Sequence, residues 1–108
     1  MTLKIQYYTQ FKRDIKRAKK RRLDMALLKE VINTLQARKP LDAKYRDHAL
    51  SGEYIGYREC HILSNWLLIY KIIEDRLILV LARTGTHDDV FKGSPILTST
   101  DSETSGLR

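Results

Sequence analysis

The sequence is poor in cysteine, the residue whose disulfides cross-link many small exported proteins. Cys60 is the single cysteine among 108 residues, so no disulfide can form within the chain. A small domain without disulfides fits a reducing compartment, and the N-terminus shows no apolar stretch of the kind found in signal peptides. We therefore expect a cytoplasmic protein.

Long apolar runs are also missing. No segment approaches the ~18 consecutive apolar residues that a membrane-spanning helix needs, so we expect no membrane partner. Hydrophobic residues nevertheless make up 43% of the chain, which is ordinary for a folded domain and argues against wholesale disorder. A chain of 108 residues suffices for one domain with one small core and is too short for two.

Acidic residues are outnumbered by basic ones, 13 to 20, which gives a net charge of +7. Such a balance concerns partners and not the fold. The charge is concentrated in "KRDIKRAKKRR" (12–22), where eight of eleven residues are basic. We interpret this run as a surface for nucleic acid or an acidic protein, with Lys12, Arg13 and Lys16 as candidate contacts. The simpler interpretation is the solvated face of an amphipathic helix.

The N-terminal half predicts a strand followed by a helical hairpin. "LKIQYY" (3–8) alternates and is rich in β-forming residues, which favours a strand, and Thr9 is a candidate N-cap for the helix that follows. Asp24 is a candidate N-cap for a second helix, and Pro40 ends its pattern. The apolar stripe of the first helix consists of Phe11, Ile15 and Ala18. The apolar side of the second consists of Leu27, Leu28, Val31, Ile32 and Leu35.

The C-terminal half predicts three antiparallel strands. Residues 41–53 have no clear period and contain Gly52, so we interpret them as a loop. The breaks between the strand candidates are short, which is typical of hairpins. We therefore predict an α+β fold in which two N-terminal helices pack on one face of a small antiparallel sheet that includes the first strand. The three candidates are "YIGYRECHI" (54–62), "WLLIYKII" (66–73) and "RLILVLART" (76–84).

The C-terminal end has a different composition. "GSPILTSTDSETSGLR" (93–108) contains seven serine or threonine residues among sixteen. Such a segment lacks the apolar residues that would bury it against a core. We predict one domain over residues 1–92 and a flexible tail over 93–108.

The predicted hairpins gather polar residues at one edge of the sheet. Each reversal of the chain brings the end of one strand, the start of the next and the end of the third to the same edge. The outer two of these strands are about 10 Å apart before their side chains reach inward. His87, in "RTGTHDDVF", follows a glycine turn at that edge, so we interpret it as functional. The expected cluster consists of His61, Asn65, Trp66, Arg83 and His87.

Histidines in a basic cleft suit RNA cleavage. The reaction needs a base for the ribose 2′-hydroxyl proton, an acid for the leaving 5′-oxygen and positive charge on the phosphorane between them. Histidine serves the first two near neutral pH, and Arg58 and Arg83 are candidates for the third. The three histidines are 13 and 26 residues apart, which matches no zinc spacing, so we expect no metal or other cofactor.

The stretches "YRDHALSGEYIGYRECHI", "NWLLIYKI" and "RTGTHDDVF" together resemble the RelE superfamily, specifically its YafQ branch, which are toxins of bacterial toxin–antitoxin pairs. The resemblance runs from about Met1 to Phe91. It implies a small α+β, microbial-ribonuclease-like fold, an endonuclease that cuts mRNA in the A site of the ribosome, and a cognate acidic antitoxin. It places the catalytic histidines on His48, His61 and His87, the aromatic positions on Trp66 and Phe91, and the phosphate-neutralising residue on Arg58.

One position departs from this family pattern. Its members usually read Asp-Trp where this chain has Asn65-Trp66, and the aspartate counts among their catalytic residues. An amide cannot take a proton at neutral pH, although it can still form hydrogen bonds. The resemblance therefore implies a nuclease of reduced activity. The alternative is a basic RNA-, ribosome- or antitoxin-binding module with weak or no catalysis.

Each candidate also has a purely structural interpretation. Trp66 and Phe91 are of a type found more often in cores than at base-stacking sites. His61 could be packed within its strand, and His48 could be solvated in a loop. Cys60 is expected to be a buried, small apolar residue and not a nucleophile.

Overall fold

The computed structural model describes residues 2–93, and the predicted tail, apart from Gly93, lies outside these residues. One five-stranded sheet carries two α-helices, in agreement with the predicted α+β architecture. Among residues 2–93, neither helix is long and apolar enough to cross a bilayer. The strands are β1 (Lys4–Tyr7), β2 (His48–Ala49), β3 (Arg58–Leu63), β4 (Trp66–Ile73) and β5 (Ile78–Gly85), and the helices are α1 (Thr9–Lys20) and α2 (Met25–Gln36).

The strand order is β1-β5-β4-β3-β2. β1 pairs with β5 in parallel, whereas the other three pairs are antiparallel, so the sheet is mixed and not wholly antiparallel as predicted. The parallel pair joins the first strand to the last one, and the chain between them passes through both helices. Two parallel neighbouring strands need a long crossover connection of this kind. The short breaks between the predicted strands indicate only hairpins, so they do not predict the parallel pair.

The start of α1 differs from the prediction. Thr9 is already helical, and the residue before it, Tyr8, has an extended backbone and no side-chain cap. The Tyr8 hydroxyl instead shares a hydrogen bond of 2.7 Å with the Tyr57 hydroxyl. Phe11 on this helix is buried as expected, and so is Asp14, a polar residue outside the apolar stripe. The buried face of α1 therefore contains a charge as well as a core residue.

The start of α2 agrees with the prediction. The Asp24 carboxylate accepts a hydrogen bond of 3.0 Å from the backbone N–H of Ala26, which satisfies one of the donors that a helix N-terminus leaves unpaired. The helix ends at Gln36, just before Pro40. Burying each large apolar side chain of its inner face contributes about 1.5–3 kcal/mol. These side chains are Leu28, Val31 and Leu35.

The predicted loop is more regular than its sequence indicates. It contains a 3-10 turn at Ala43–Tyr45, the two-residue strand β2 and a second 3-10 turn at Gly52–Tyr54. The predicted strand 54–62 consequently begins only at Arg58, because this second turn and Gly56, with φ of 95°, interrupt the extended backbone. β2 places His48 directly opposite Glu59 of β3, so this histidine belongs to the sheet and not to an irregular loop.

The register of the central strands positions the remaining candidates. β3 and β4 are joined by a tight turn, and His61 on β3 lies opposite Leu67 on β4, which in turn lies opposite Gly85 on β5. The predicted strand 76–84 begins later, at Ile78, because residues 74–76 form a 3-10 turn. Since side chains alternate along a strand, Glu59 and His61 point to the same side of β3.

Candidate active site

His48 and His61 both lie beside the carboxylate of Glu59. The Oε1 atom of Glu59 lies 3.2 Å from Nε2 of His48 and 3.6 Å from Nε2 of His61, and the two imidazole rings are 6.5 Å apart. The Glu59 side chain is only 9% exposed, whereas that of His48 is 50% exposed, so the carboxylate is largely buried and the imidazole remains accessible. Glu59 is not among the candidate residues predicted from the sequence. The signal that predicts it is its spacing of two residues from His61 on a strand, which places both on one side.

The other ring nitrogens are held by backbone carbonyls. Nδ1 of His48 lies 2.7 Å from the carbonyl oxygen of Arg46, and Nδ1 of His61 lies 3.4 Å from that of Ser64. A carbonyl oxygen only accepts hydrogen bonds, so Nδ1 of His48 carries a proton and donates it. This fixes the ring orientation and directs Nε2 towards Glu59. The longer contact of His61 constrains its ring less.

The third histidine belongs to an aromatic row. The ring of His87 lies 4.7 Å from that of Phe91, and Phe91 makes an edge contact of 5.2 Å with Tyr54. Tyr54 belongs to the loop between β2 and β3, so this row joins that loop to the segment after β5. His87 is exposed, and its imidazole is accessible to a ligand at the surface.

The register relates the two histidine groups. His61, Leu67 and Gly85 are aligned across three neighbouring strands, and two interstrand spacings amount to about 10 Å. His87 follows Gly85 by two residues. The segment that carries His87 thus leaves the sheet in the same row as His61, at the edge that the hairpin pattern indicates.

Asp89 fixes the segment that carries His87. Its carboxylate accepts a hydrogen bond of 2.9 Å from the backbone N–H of Thr86, and its own N–H donates to the Thr86 hydroxyl at 3.1 Å. Arg21, the residue after α1, donates to the same carboxylate at 2.7 Å and thereby lowers the pKa of Asp89 far below its usual value. Gly85, with φ of 149°, has no room for a side chain, because a Cβ there would lie 2.9 Å from Asp89. His87 therefore projects from a turn that the hydrogen bonds between Asp89 and Thr86 hold in place.

Arg83 lies in the interior and not in the predicted cluster. Its guanidinium donates to the Asp14 carboxylate at 2.8 Å, and the two side chains are 1% and 0% exposed. It also donates to the backbone carbonyl of Asp89 at 3.0 Å. A bulge at Ala82, where the pairing with β4 shifts, precedes Arg83, and such bulges re-aim side chains. Arg83 therefore holds α1 and the His87 segment together and cannot reach a phosphate.

Trp66 is a core residue. It is 1% exposed, and its Nε1–H donates to the Thr84 hydroxyl at 2.9 Å, which itself donates to the Leu67 carbonyl at 2.6 Å. Since the indole is enclosed and its donor satisfied, it offers no face to a base, contrary to the stacking role predicted for it. Phe91 is only half-buried, and it remains a candidate together with Tyr54.

Arg58, the first residue of β3, has a charge that is already compensated. Its guanidinium donates to Asp47 at 2.9 and 3.2 Å, which raises the pKa of Arg58, and Tyr70 donates to the same carboxylate. Burial and this hydrogen bond raise the pKa of Tyr70 as well. Asn65 is exposed in the turn between β3 and β4, beside Ser64, whose carbonyl contacts His61. Asn65 thus lies at the edge of the sheet that the hairpin pattern indicates, whereas Arg58 lies at the other end of β3.

The basic face of α1 has exposed and paired cations. Lys12, Arg13 and Lys16 are all exposed, as a polyanion contact requires. Arg17 on the same helix pairs with Asp14 at 2.6 Å, and Arg21, the residue after the helix, pairs with Asp89. Within residues 2–93, no three or more histidine, cysteine, aspartate or glutamate side chains form a metal-binding cluster, and the expectation of no metal cofactor stays a prediction.

Comparisons with known proteins all indicate the same family. Residues 3–92 match the family described as the bacterial toxin of type II toxin–antitoxin system, YafQ. The chain is 42% identical, over 92 residues, to the mRNA interferase toxin YafQ of Escherichia coli; the match covers 81% of this chain and 94% of that protein. A crystal structure of YafQ from E. coli has a TM-score of 0.77 at 40% identity, covering 82% and 98% of the two chains. The E. coli DinJ-YafQ toxin-antitoxin complex matches with a TM-score of 0.77 at 40% identity, covering 84% and 99%.

Proposed function

The chain belongs to the YafQ family of bacterial toxins of type II toxin–antitoxin systems, and on this premise we propose that it is an endoribonuclease that cuts mRNA in the ribosomal A site. The cut is made by histidine acid/base catalysis without a metal and inhibits translation. A cognate acidic antitoxin, as in the DinJ-YafQ complex of E. coli, neutralises the toxin in the cytoplasm. The observation that carries the catalytic part is the carboxylate of Glu59 between the Nε2 atoms of His48 and His61.

The reaction moves two protons and exchanges one phosphorus–oxygen bond. One imidazole of the pair takes the 2′-hydroxyl proton while the 2′-oxygen attacks phosphorus. The other imidazole, in its protonated form, gives a proton to the 5′-oxygen as the bond from that oxygen to phosphorus breaks. The products are a 2′,3′-cyclic phosphate and a free 5′-hydroxyl. Each positioned proton-transfer group typically contributes about 10²–10⁴-fold to the rate.

Glu59 orients the pair in this proposal. Its carboxylate lies 3.2 and 3.6 Å from the two Nε2 atoms and so holds both rings beside one another. The same carboxylate supplies a charge that Asn65 cannot supply, so reduced but measurable activity is expected despite the amide. His87 lies at the scissile phosphate, and Tyr54 and Phe91 hold a base through their rings.

The exposed cations of α1 contact ribosomal RNA in this proposal. Replacing Lys12, Arg13 and Lys16 together by glutamine weakens ribosome binding and reduces its dependence on salt. Each phosphate contact contributes a slope of about 0.7–0.9 in the logarithm of affinity against the logarithm of salt. A slope that stays at the wild-type value would remove these residues from the interface.

The proposal is tested by primer extension on a message translated in vitro with purified protein. Wild type should cut the message within the A-site codon, and His48→Ala, His61→Ala or His87→Ala should each reduce the cleavage rate by about 10²-fold or more. Glu59→Gln should reduce it by about tenfold or more, while Glu30→Gln, which removes an exposed carboxylate on α2, should leave it unchanged. Asn65→Asp should increase it.

A second outcome identifies the alternative function. Asn65 favours a module that binds RNA, the ribosome or the antitoxin without cutting. Translation that stops while the message stays intact, in wild type and in Asn65→Asp alike, would favour that module over the nuclease.

A further inference from the structure

A cavity of about 340 Å³ opens beside His61, at the end of β3. Its lining comes from the 3-10 turn at Ala43–Tyr45 with the following Arg46, and from the end of β3 with the turn at Ser64. This volume lies within the range of about 300–1,000 Å³ that is typical of ligand sites. Because His61 lines it, an occupant of the cavity adjoins one of the two imidazoles over Glu59.

The rim of the cavity carries charge that the protein does not neutralise. Lys44 and Arg46 line it, and within residues 2–93 neither forms an ion pair. Arg58 and Arg83, the arginines that the sequence favours for phosphate binding, are instead engaged by Asp47 and Asp14. The cations beside His61 that remain available to an anion are therefore on the 3-10 turn and its cap.

Arg46 connects the cavity to the histidine pair. Its backbone is left-handed, with φ of 51°, and this conformation closes the 3-10 turn through a hydrogen bond from its N–H to the Ala43 carbonyl. Its own carbonyl accepts from Nδ1 of His48. The carbonyl of Arg46 thus orients one imidazole, while the same residue lines the cavity beside the other.

The rest of the lining is apolar and aromatic. Leu27, Ile62 and Leu63 line the cavity together with Tyr45, whose half-buried ring has the Lys44 ammonium 5.1 Å from its centroid. An apolar and aromatic wall beside a cationic rim matches a nucleotide, which has a flat base at one end and a phosphate at the other.

We propose that this cavity binds the nucleotide next to the scissile phosphate of the RNA, with its base against Tyr45 and its phosphate on Arg46 and Lys44. The proposal rests on the proposed nuclease function for the nature of the polymer. RNA is preferred to an acidic peptide because the cavity is continuous with His61, so that a strand bound at the histidine pair must leave past this turn.

Binding is measured with a decanucleotide RNA methylated at every 2′-oxygen, which cannot be cut, by fluorescence anisotropy with the full chain. Tyr45→Ala should weaken binding by roughly tenfold, the loss typical of one stacked base, whereas Tyr45→Phe should bind within about twofold of wild type. Arg46→Asn should weaken binding by roughly three- to tenfold, because asparagine tolerates the left-handed backbone but lacks the charge. Arg38→Asn is its matched control, since Arg38 is also left-handed and exposed but does not line the cavity.

Cleavage on the ribosome gives an independent readout. Tyr45→Ala and Arg46→Asn should raise KM more than they lower kcat and should change the preferred cleavage positions. Wild type that binds the decanucleotide through Tyr45 and Arg46 but cuts no message would support the cavity proposal and refute the nuclease.

Three results would overturn the cavity proposal. The first is wild-type affinity and wild-type KM in both variants while cleavage proceeds, which leaves the nuclease standing. The second is no binding of the decanucleotide by wild type. The third is unchanged RNA binding with weakened binding of the cognate antitoxin, which would make the cavity a protein contact.

Discussion

The carboxylate of Asp14 on α1 accepts a hydrogen bond of 2.8 Å from Nε of Arg83 on β5, and neither side chain is accessible to solvent beyond 1%. Asp14 also accepts from the backbone N–H of Thr84 at 3.0 Å. This pair joins the first helix to the last strand, 69 residues apart in sequence. Arg83 also donates a hydrogen bond to the backbone carbonyl of Asp89 and so helps to hold the segment that carries His87.

Removing Arg83 alone should destabilise the protein strongly. Arg83→Met leaves the buried charge of Asp14 with less compensation, which typically costs about 3–5 kcal/mol of unfolding free energy. Unfolding in guanidinium chloride measures this loss. Arg76→Met, at the exposed turn between β4 and β5, should change stability by less than about 0.5 kcal/mol.

The double variant Asp14→Leu, Arg83→Met should recover part of the loss, because it leaves no buried charge. If Arg83→Met kept wild-type stability and lost only cleavage, Arg83 would act on the substrate, as the sequence pattern suggests, and not on the fold.

Trp66 should report on the core and not on RNA. It is the single tryptophan of the chain and is 1% exposed, so its emission should be blue-shifted and protected from iodide quenching. Adding RNA should leave this emission unchanged. Trp66→Phe should lower the unfolding free energy by about 1–3 kcal/mol, since Thr84 loses its indole donor, while the cleavage rate of the folded fraction stays near that of wild type. Quenching of the indole by RNA would restore the base-stacking role.

Asp89 should make stability dependent on acid pH. Its pKa is lowered in the folded protein, first by the hydrogen bond from Arg21. A lowered pKa gives stability that is full above the unfolded value of about 3.9 and is lost as pH falls towards the folded value. Wild type should therefore be more stable than Asp89→Asn at pH 5–7, and the difference should shrink below about pH 4.

Asp75→Asn is the control for Asp89, because Asp75 is exposed in the turn between β4 and β5. Guanidinium unfolding of the three proteins as a function of pH is the measurement. A difference between wild type and Asp89→Asn that persists unchanged at pH 2 would mean that the ionised carboxylate is not what stabilises this segment.

Cys60 should react with alkylating reagents only through unfolding. Its side chain is fully buried, and burial raises the pKa of its thiol to about 12. The thiolate is the reactive form, so iodoacetamide at pH 8 should label the native protein slowly and the guanidinium-unfolded protein at once. The raised pKa also predicts that stability falls as pH rises above the unfolded thiol value of about 8.5, and Cys60→Ala should lack this part of the dependence. Rapid native labelling would show that β3 opens locally.

The elements that the sequence predicts well are those with a local cause. Asp24 caps α2 because its side chain reaches a backbone donor two residues away. The strand Trp66–Ile73 agrees with its predicted bounds because its residues are mostly apolar and short polar turns flank both ends. The predictions that proved wrong depend on distant partners. For example, Tyr8 and not Thr9 occupies the N-cap position of α1. Its hydroxyl pairs with that of Tyr57, and the helix begins without a hydrogen bond from an N-cap side chain.

The sequence by itself determined the α+β class, the helical hairpin, the antiparallel order of β3, β4 and β5 and the family resemblance, since local periodicity, turn residues and motifs specify these. Only the tertiary structure decided that β1 joins β5 in parallel, that Arg83 faces Asp14, that Trp66 is enclosed and that Glu59 lies between two imidazoles. The physical reason is that an arginine or tryptophan has the same pattern in a sequence whether it faces substrate or core. Its role follows from which side of a strand, bulge or helix it occupies and from the groups that segments far away along the chain bring to it.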